Sequence, residues 1–144
     1  MFEAKLSLIC NKIEQKAREV EVINGTEEDL KNRIEQILRE DVWREFDIPE
    51  PKYEYRVESE EWLGISAKHW GRIDALYGLC IFEYKKPNEL RKVGIREEAI
   101  EKMKELYIPG LLNEPDILKH IKAIEERGYT PIITGIIWDG YSII

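Results

Sequence analysis

Trp70-Gly71-Arg72-Ile73-Asp74-Ala75-Leu76-Tyr77-Gly78-Leu79-Cys80-Ile81-Phe82-Glu83-Tyr84-Lys85-Lys86-Pro87 sets two apolar runs on either side of Tyr77-Gly78. Each run carries an acid that a half-buried strand ordinarily excludes, and the pattern predicts a β-hairpin. With Tyr77 and Gly78 as the central turn residues, Leu76 faces Leu79, Ala75 faces Cys80 and Asp74 faces Ile81. Opposite residues share a face, and so do residues two apart along a strand. Asp74, Glu83 and Lys85 therefore fall together, with Glu83 diagonal to Asp74, while Cys80, Phe82 and Tyr84 point the other way. The register depends on the turn, and tyrosine suits its first position badly because a primed turn needs positive φ there.

Two carboxylates and a lysine on one strand face suit a divalent cation beside a phosphodiester. Mg2+ takes oxygen ligands and keeps several waters, so one or two carboxylates plus substrate oxygens suffice. A lysine in that position can orient or deprotonate the attacking water and offset charge in the transition state.

Asp74 followed by Glu83-x-Lys85 resembles the PD-(D/E)xK nuclease superfamily, with its restriction-endonuclease-like fold. The wording Gly71-Arg72-x-Asp74-Ala75-x-Tyr77-Gly78, then Glu83-x-Lys85-x-Pro87, is similar to the nuclease domains attached to restriction-modification enzymes. An acid-x-lysine tripeptide alone carries nothing, since it recurs at Glu3-Lys5, Glu14-Lys16, Asp29-Lys31 and Glu50-Lys52. Only Glu83 combines it with an apolar strand and an aspartate at hairpin distance. The resemblance implies that Asp74, Glu83 and the Tyr84 backbone carbonyl bind Mg2+, or Mn2+, and that Lys85 positions the attacking water. It also implies a glutamate from the first core helix, Glu27 first and Glu35 second. The plain alternative is that Glu27 only favours the positive end of the helix dipole.

A second anchor is Thr134-Gly135-Ile136-Ile137-Trp138-Asp139-Gly140-Tyr141, similar to the strand and turn that close the nuclease core, which extends the resemblance over about 25–144. One feature departs from it. Type I restriction subunits carry Gln-x-x-x-Tyr after the catalytic strand, and Met103 stands at the glutamine position before Tyr107.

The 144 residues fit one domain, and 43% hydrophobic with 35% charged residues is a soluble globular composition. No apolar run approaches the ~20 residues needed to cross a bilayer and no signal-peptide pattern opens the chain, so the cytoplasm is the expected location and no membrane the expected partner. Cys10 and Cys80 are too few for a disulfide framework or a cysteine-rich zinc site, and Cys80 reads as a small buried hydrophobe. His69 and His120 lack the spacing of a metal pair. The net charge of −7 argues against tight nonspecific DNA binding. The excess is confined to residues 1–61, with 17 acids and 10 bases, whereas residues 62–144 hold 12 of each.

Along the chain, a helix is expected over 3–22 with Phe2, Leu6, Ile9, Cys10, Ile13, Ala17 and Val20 as its stripe, stopped by Asn24-Gly25. Thr26 and Asp29 form a variant capping box for a second helix reaching about Glu40. An aromatic connection from Val42 to Pro51 precedes a strand around Tyr53, Tyr55 and Val57, and Glu58–Lys68 reads as a polar loop. After the hairpin come Lys85, Lys86, Arg91, Lys92 and Arg96. Arg72, Lys86, Arg91 and Lys92 are the candidate nucleic-acid contacts, with a solvated loop as the alternative. A third helix covers Ile95–Tyr107 and ends at Ile108-Pro109-Gly110. A fourth, with Ile117, Leu118, Ile121 and Ile124 inward, runs from Asp116 to Gly128. Thr130–Trp138 reads as a buried strand, Asp139-Gly140 as a hairpin turn and Tyr141–Ile144 as the returning strand.

The element order implies an α/β three-layer restriction-endonuclease-like core, a central mixed sheet flanked by helices. The expected organisation is a single domain, 1–144, with an N-terminal helix (1–24) and a core (25–144), cut from or partnered with something larger. The leading functional expectation is a Mg2+-dependent DNA endonuclease of a restriction-modification or DNA-processing system. A homodimer, and a methylase or helicase module, are the partners this leaves open besides DNA. A nuclease-fold module that binds nucleic acid or protein without cutting is the second expectation. A small-molecule α/β enzyme is the third, with no Gly-rich phosphate loop or Ser/His/Asp set to support it.

Overall fold

The structure, a computed structural model, describes residues 2–62 and 65–144. It is α/β, with a four-stranded mixed sheet in the order β1 (Lys52–Trp62), β2 (Ile65–Tyr77), β3 (Cys80–Tyr84), β4 (Thr134–Trp138). β1, β2 and β3 pair antiparallel in sequence. β4 runs parallel to β3: the Thr134 N–H donates to the Leu79 carbonyl at 3.0 Å and the Lys85 N–H to the Trp138 carbonyl at 2.9 Å. The helices are α1 (Phe2–Val22), α2 (Glu27–Leu38), α3 (Val93–Lys102), α4 (Ile108–Leu111) and α5 (Pro115–Glu126), with π-helical turns at Arg39–Trp43 and Met103–Tyr107. The chain divides into two compact units. The first is Met1–Glu50, Tyr84–Ile95 and Ile137–Ile144; the second is Pro51–Glu83 and Arg96–Ile136.

In the first unit α1 buries Ile9, Ile13, Ala17 and Val20, but the start of the expected stripe faces solvent, with Phe2, Leu6 and Cys10 exposed. The expected capping box opens α2: the Asp29 N–H donates to Thr26 Oγ1 at 3.1 Å, and the Thr26 N–H donates to the Asp29 carboxylate at 2.7 Å. Leu30, Ile34 and Ile37 form the buried face of α2. Asp139 and Gly140 turn the chain as expected. Asp139 is wholly buried, and its carboxylate accepts the N–H groups of Leu90 (3.1 Å), Tyr141 (3.0 Å) and Ser142 (2.7 Å). Gly140 has φ +86°, and a Cβ there would stand 2.5 Å from the Ala17 Cβ, so only glycine fits. The returning strand is reduced to one bridge, Trp138 to Ile143.

In the second unit the β1–β2 hairpin packs one face on the π-turn and α4. Val57, Gly71, Ile73 and Ala75 line that face and are buried. A Cβ at Gly71 would lie 2.8 Å from the side chains of both Leu106 and Tyr107, and the Tyr107 hydroxyl donates to the Arg72 carbonyl at 3.1 Å.

Several expectations are corrected. Glu58–Lys68 is no loop: β1 continues to Trp62 and β2 starts at Ile65, while Leu63 and Gly64 lie outside the described residues. A hairpin with one wet face needs polar residues at alternate positions, and that polarity mimics a loop. The third helix does not stop at Ile108-Pro109-Gly110. It passes through the π-turn into α4, because Pro109 falls in the first turn of α4, where a missing N–H costs little, and Gly110 lets the backbone approach Val57. β4 begins only at Thr134, and in α5 Leu118 is exposed while Ile117 is buried. Cys80 is half-buried rather than buried.

Candidate metal centre

The β2–β3 turn lies one residue further on than the sequence suggested. The pairs are Tyr77 with Cys80, Leu76 with Ile81 and Ala75 with Phe82, which makes Gly78 and Leu79 the central residues. The reason is conformational. Gly78 takes φ +56° at the first turn position, relieving Tyr77 of a left-handed backbone that its side chain disfavours. Moving a two-residue turn by one position moves every cross-strand partner by two, so each side chain keeps its face. The next pair along this register is Asp74 with Glu83, directly opposite rather than diagonal.

The two carboxylates meet in consequence. One oxygen of Asp74 and one of Glu83 lie within 4.8 Å of each other. Two oxygens on one cation stand at most twice the metal–oxygen distance apart, about 4 Å for Mg2+ and about 5 Å for Ca2+. The pair is therefore close to the spacing a divalent cation needs, and its hard oxygen donors are the kind Mg2+ takes. Glu83 is 4% exposed, and Asp74 is half-buried. Two like charges this close and this shielded from water are costly unless a nearby cation offsets them or one carboxyl holds a proton.

One cation that the sequence did not indicate is Lys102, at the end of α3. Its Nζ is 3.8 Å from Glu83 Oε1 and lies 5.0 Å from the centre of the Tyr107 ring. The Glu-x-Lys spacing drew attention to Lys85, two residues along the strand; a partner from a helix nineteen positions away leaves no local pattern. Lys85 itself stands just beyond the end of β3, half-buried, rather than on the strand. Tyr84 closes β3 with its ring buried.

Glu54 faces Asp74 from β1. It takes φ +55°, rare for a glutamate and costly unless its surroundings hold it there. Its carboxylate is 2.6 Å from Arg72 Nε, so Arg72 shares the Asp74 face but is engaged. Lys86, Arg91 and Lys92 belong to the first unit and are exposed around the 3-10 turn Glu89–Arg91.

Glu27 is also in the first unit, in the first turn of α2 and half-buried. Lys31 and Glu35 follow it at four-residue steps and are buried and half-buried. Such residues lie on one side of a helix. The shielding of Lys31 from solvent left no trace in the sequence, because a lysine in this setting normally reads as surface.

Among the described residues no helix is long and apolar enough to cross a membrane. Comparison of the chain with family models, with curated proteins and with solved structures finds no match in any of the three.

Proposed function

We propose that the protein is a Mg2+-dependent DNA endonuclease with a three-layer core of the restriction-endonuclease type. The observation that carries this reading is the approach of Asp74 on β2 to Glu83 on β3, with carboxylate oxygens within 4.8 Å. In this reading Asp74 and Glu83, with the Tyr84 carbonyl that follows Glu83 on β3, would hold the cation. The bound cation supplies positive charge at the scissile phosphate. Lys85 holds the water that attacks phosphorus in line and balances the charge that develops on the phosphoryl oxygens. Lys86, Arg91 and Lys92, exposed on the first unit, are candidate phosphate contacts, which would set position, not sequence.

Cleavage of supercoiled plasmid in Mg2+ or Mn2+ tests the reading. Wild type should nick, while Asp74→Asn and Lys85→Ala should not, with circular dichroism unchanged. Equal nicking by wild type and both variants would refute it.

The Glu83–Lys102 contact favours a second reading, a module of the same fold that binds nucleic acid or protein without cutting. There the lysine, not a metal, neutralises the buried carboxylate. Specific Mn2+ binding that is lost in Asp74→Asn is expected only of the nuclease.

A further inference from the structure

The Asp74 face of the β1–β2 hairpin continues away from the carboxylates as a strip of exposed side chains. Arg56 pairs with Arg72 and Glu58 with Trp70. Because residues two apart share a face, Trp70, Arg72 and Asp74 follow one another on β2, about 7 Å per step. Trp70 is 63% exposed, and the side chains of Arg56 and Arg72 are 63% and 66% exposed. The other face of the same hairpin is packed, and the Trp70 ring stands on the face open to solvent.

The ring is also held in place. The Arg56 guanidinium carbon lies 4.7 Å from the centre of the Trp70 ring, a cation–π contact that fixes the indole and places a positive charge beside it. Arg56 also faces Glu58 at 3.6 Å, and Arg72 faces Glu54 at 2.6 Å. Both ion pairs are exposed and therefore weak, so a phosphate can take the place of either carboxylate.

We infer that this strip binds a single-stranded segment of nucleic acid, with a base stacked on Trp70 and the backbone on Arg56 and Arg72, and leads that strand to Asp74. An indole on a sheet surface offers its ring to the flat face of a base, and a duplex keeps those faces stacked inside itself. The inference rests on the nuclease reading for its direction toward Asp74 and names the substrate class of that site: a strand with unpaired bases, as in a single strand, flap or junction, rather than uninterrupted duplex.

The test is fluorescence anisotropy with labelled oligothymidylate and with the matching duplex, in EDTA so that neither metal binding nor cleavage enters. Wild type should bind the single strand more tightly than the duplex, with quenching of tryptophan emission. Trp70→Ala should weaken single-strand binding on the order of tenfold, and Trp70→Phe should retain most of it. Arg56→Ala with Arg72→Ala should reduce the slope of log affinity against log salt by about 1.4, from two phosphate contacts on a single strand. Absence of oligothymidylate binding, preference for duplex, or full affinity in Trp70→Ala would each overturn the inference. Plasmid nicking that depends on Asp74 but not on Trp70 would overturn this inference alone. Loss of the nuclease reading would appear instead as single-strand binding by a protein that no metal makes active.

Discussion

Replacing Asp139 by alanine removes one wholly buried carboxylate and leaves three backbone donors without their acceptor. The Leu90 N–H, 3.1 Å away, is in the interior; those of Tyr141 and Ser142, at 3.0 and 2.7 Å, are partly buried and can turn to water. A hydrogen bond to a charged group contributes about 1.5–3 kcal/mol, and a partly solvated one nearer 0.5–1. One interior bond and two partly wet ones give about 2.5–5 kcal/mol of lost stability. For a chain of this size, with m ~1.5 kcal/mol per molar urea, the midpoint should fall by about 2–3 M with m unchanged. The thermal midpoint should fall by about 10 °C. Asp139→Asn keeps one acceptor oxygen but turns an amide donor toward backbone donors, so its loss should be only modestly smaller. Urea titration followed by far-ultraviolet circular dichroism reads both. A shift below about 0.3 M for Asp139→Ala would refute the claim that this carboxylate ties Leu90 to the last turn of the chain.

Three further outcomes follow from the same physics. Hydrogen bonds from the Thr26 backbone and then its side chain hold the Asp29 carboxyl below its ordinary value of 3.8, so the capping box contributes stability above pH 3.8 that disappears as pH falls through the lowered value. An acid titration of Asp29→Ala should lack that part of the acid-limb slope. Burial pushes the Cys80 thiol above its ordinary 9.0, whereas Cys10 is exposed, so iodoacetamide at pH 8 should modify Cys10 first and Cys80 at a several-fold slower rate, read by peptide mass spectrometry. Comparable rates would mean that Cys80 is open to solvent. A methyl at Gly71 meets Leu106 and Tyr107 at 2.8 Å, so Gly71→Ala should destabilise the protein by about 1–3 kcal/mol in urea titration, and an unchanged midpoint would show that this contact is loose.

The parts legible from the sequence were those governed by local period. The α1 and α2 helices, the capping box at Thr26 and the Asp139-Gly140 turn all rest on contacts between residues a few positions apart. The facing of Asp74 and Glu83 survived an incorrect turn because parity, not register, decides which side of a sheet a residue occupies. The length of β1 and β2 was hidden, since acids at Glu54 and Glu58 alternate with inward residues on a strand whose outer face is wet. Lys102 beside Glu83, the shielding of Lys31, and the Arg56–Trp70 stack join residues with no spacing signature or depend on burial. Pro109 misled because it normally ends a helix, whereas here it falls where its missing N–H does little harm.

A divalent cation held by the Asp74 and Glu83 carboxylates should be visible as a binding site. Isothermal titration of Mn2+ into wild type and Asp74→Asn measures this directly, with thermal unfolding of both proteins as the control for folding. Wild type should show a saturable site that is absent in a folded Asp74→Asn. Equal titration curves for the two proteins, or no saturable binding to wild type, would contradict it and leave Glu83 as the ion-pair partner of Lys102.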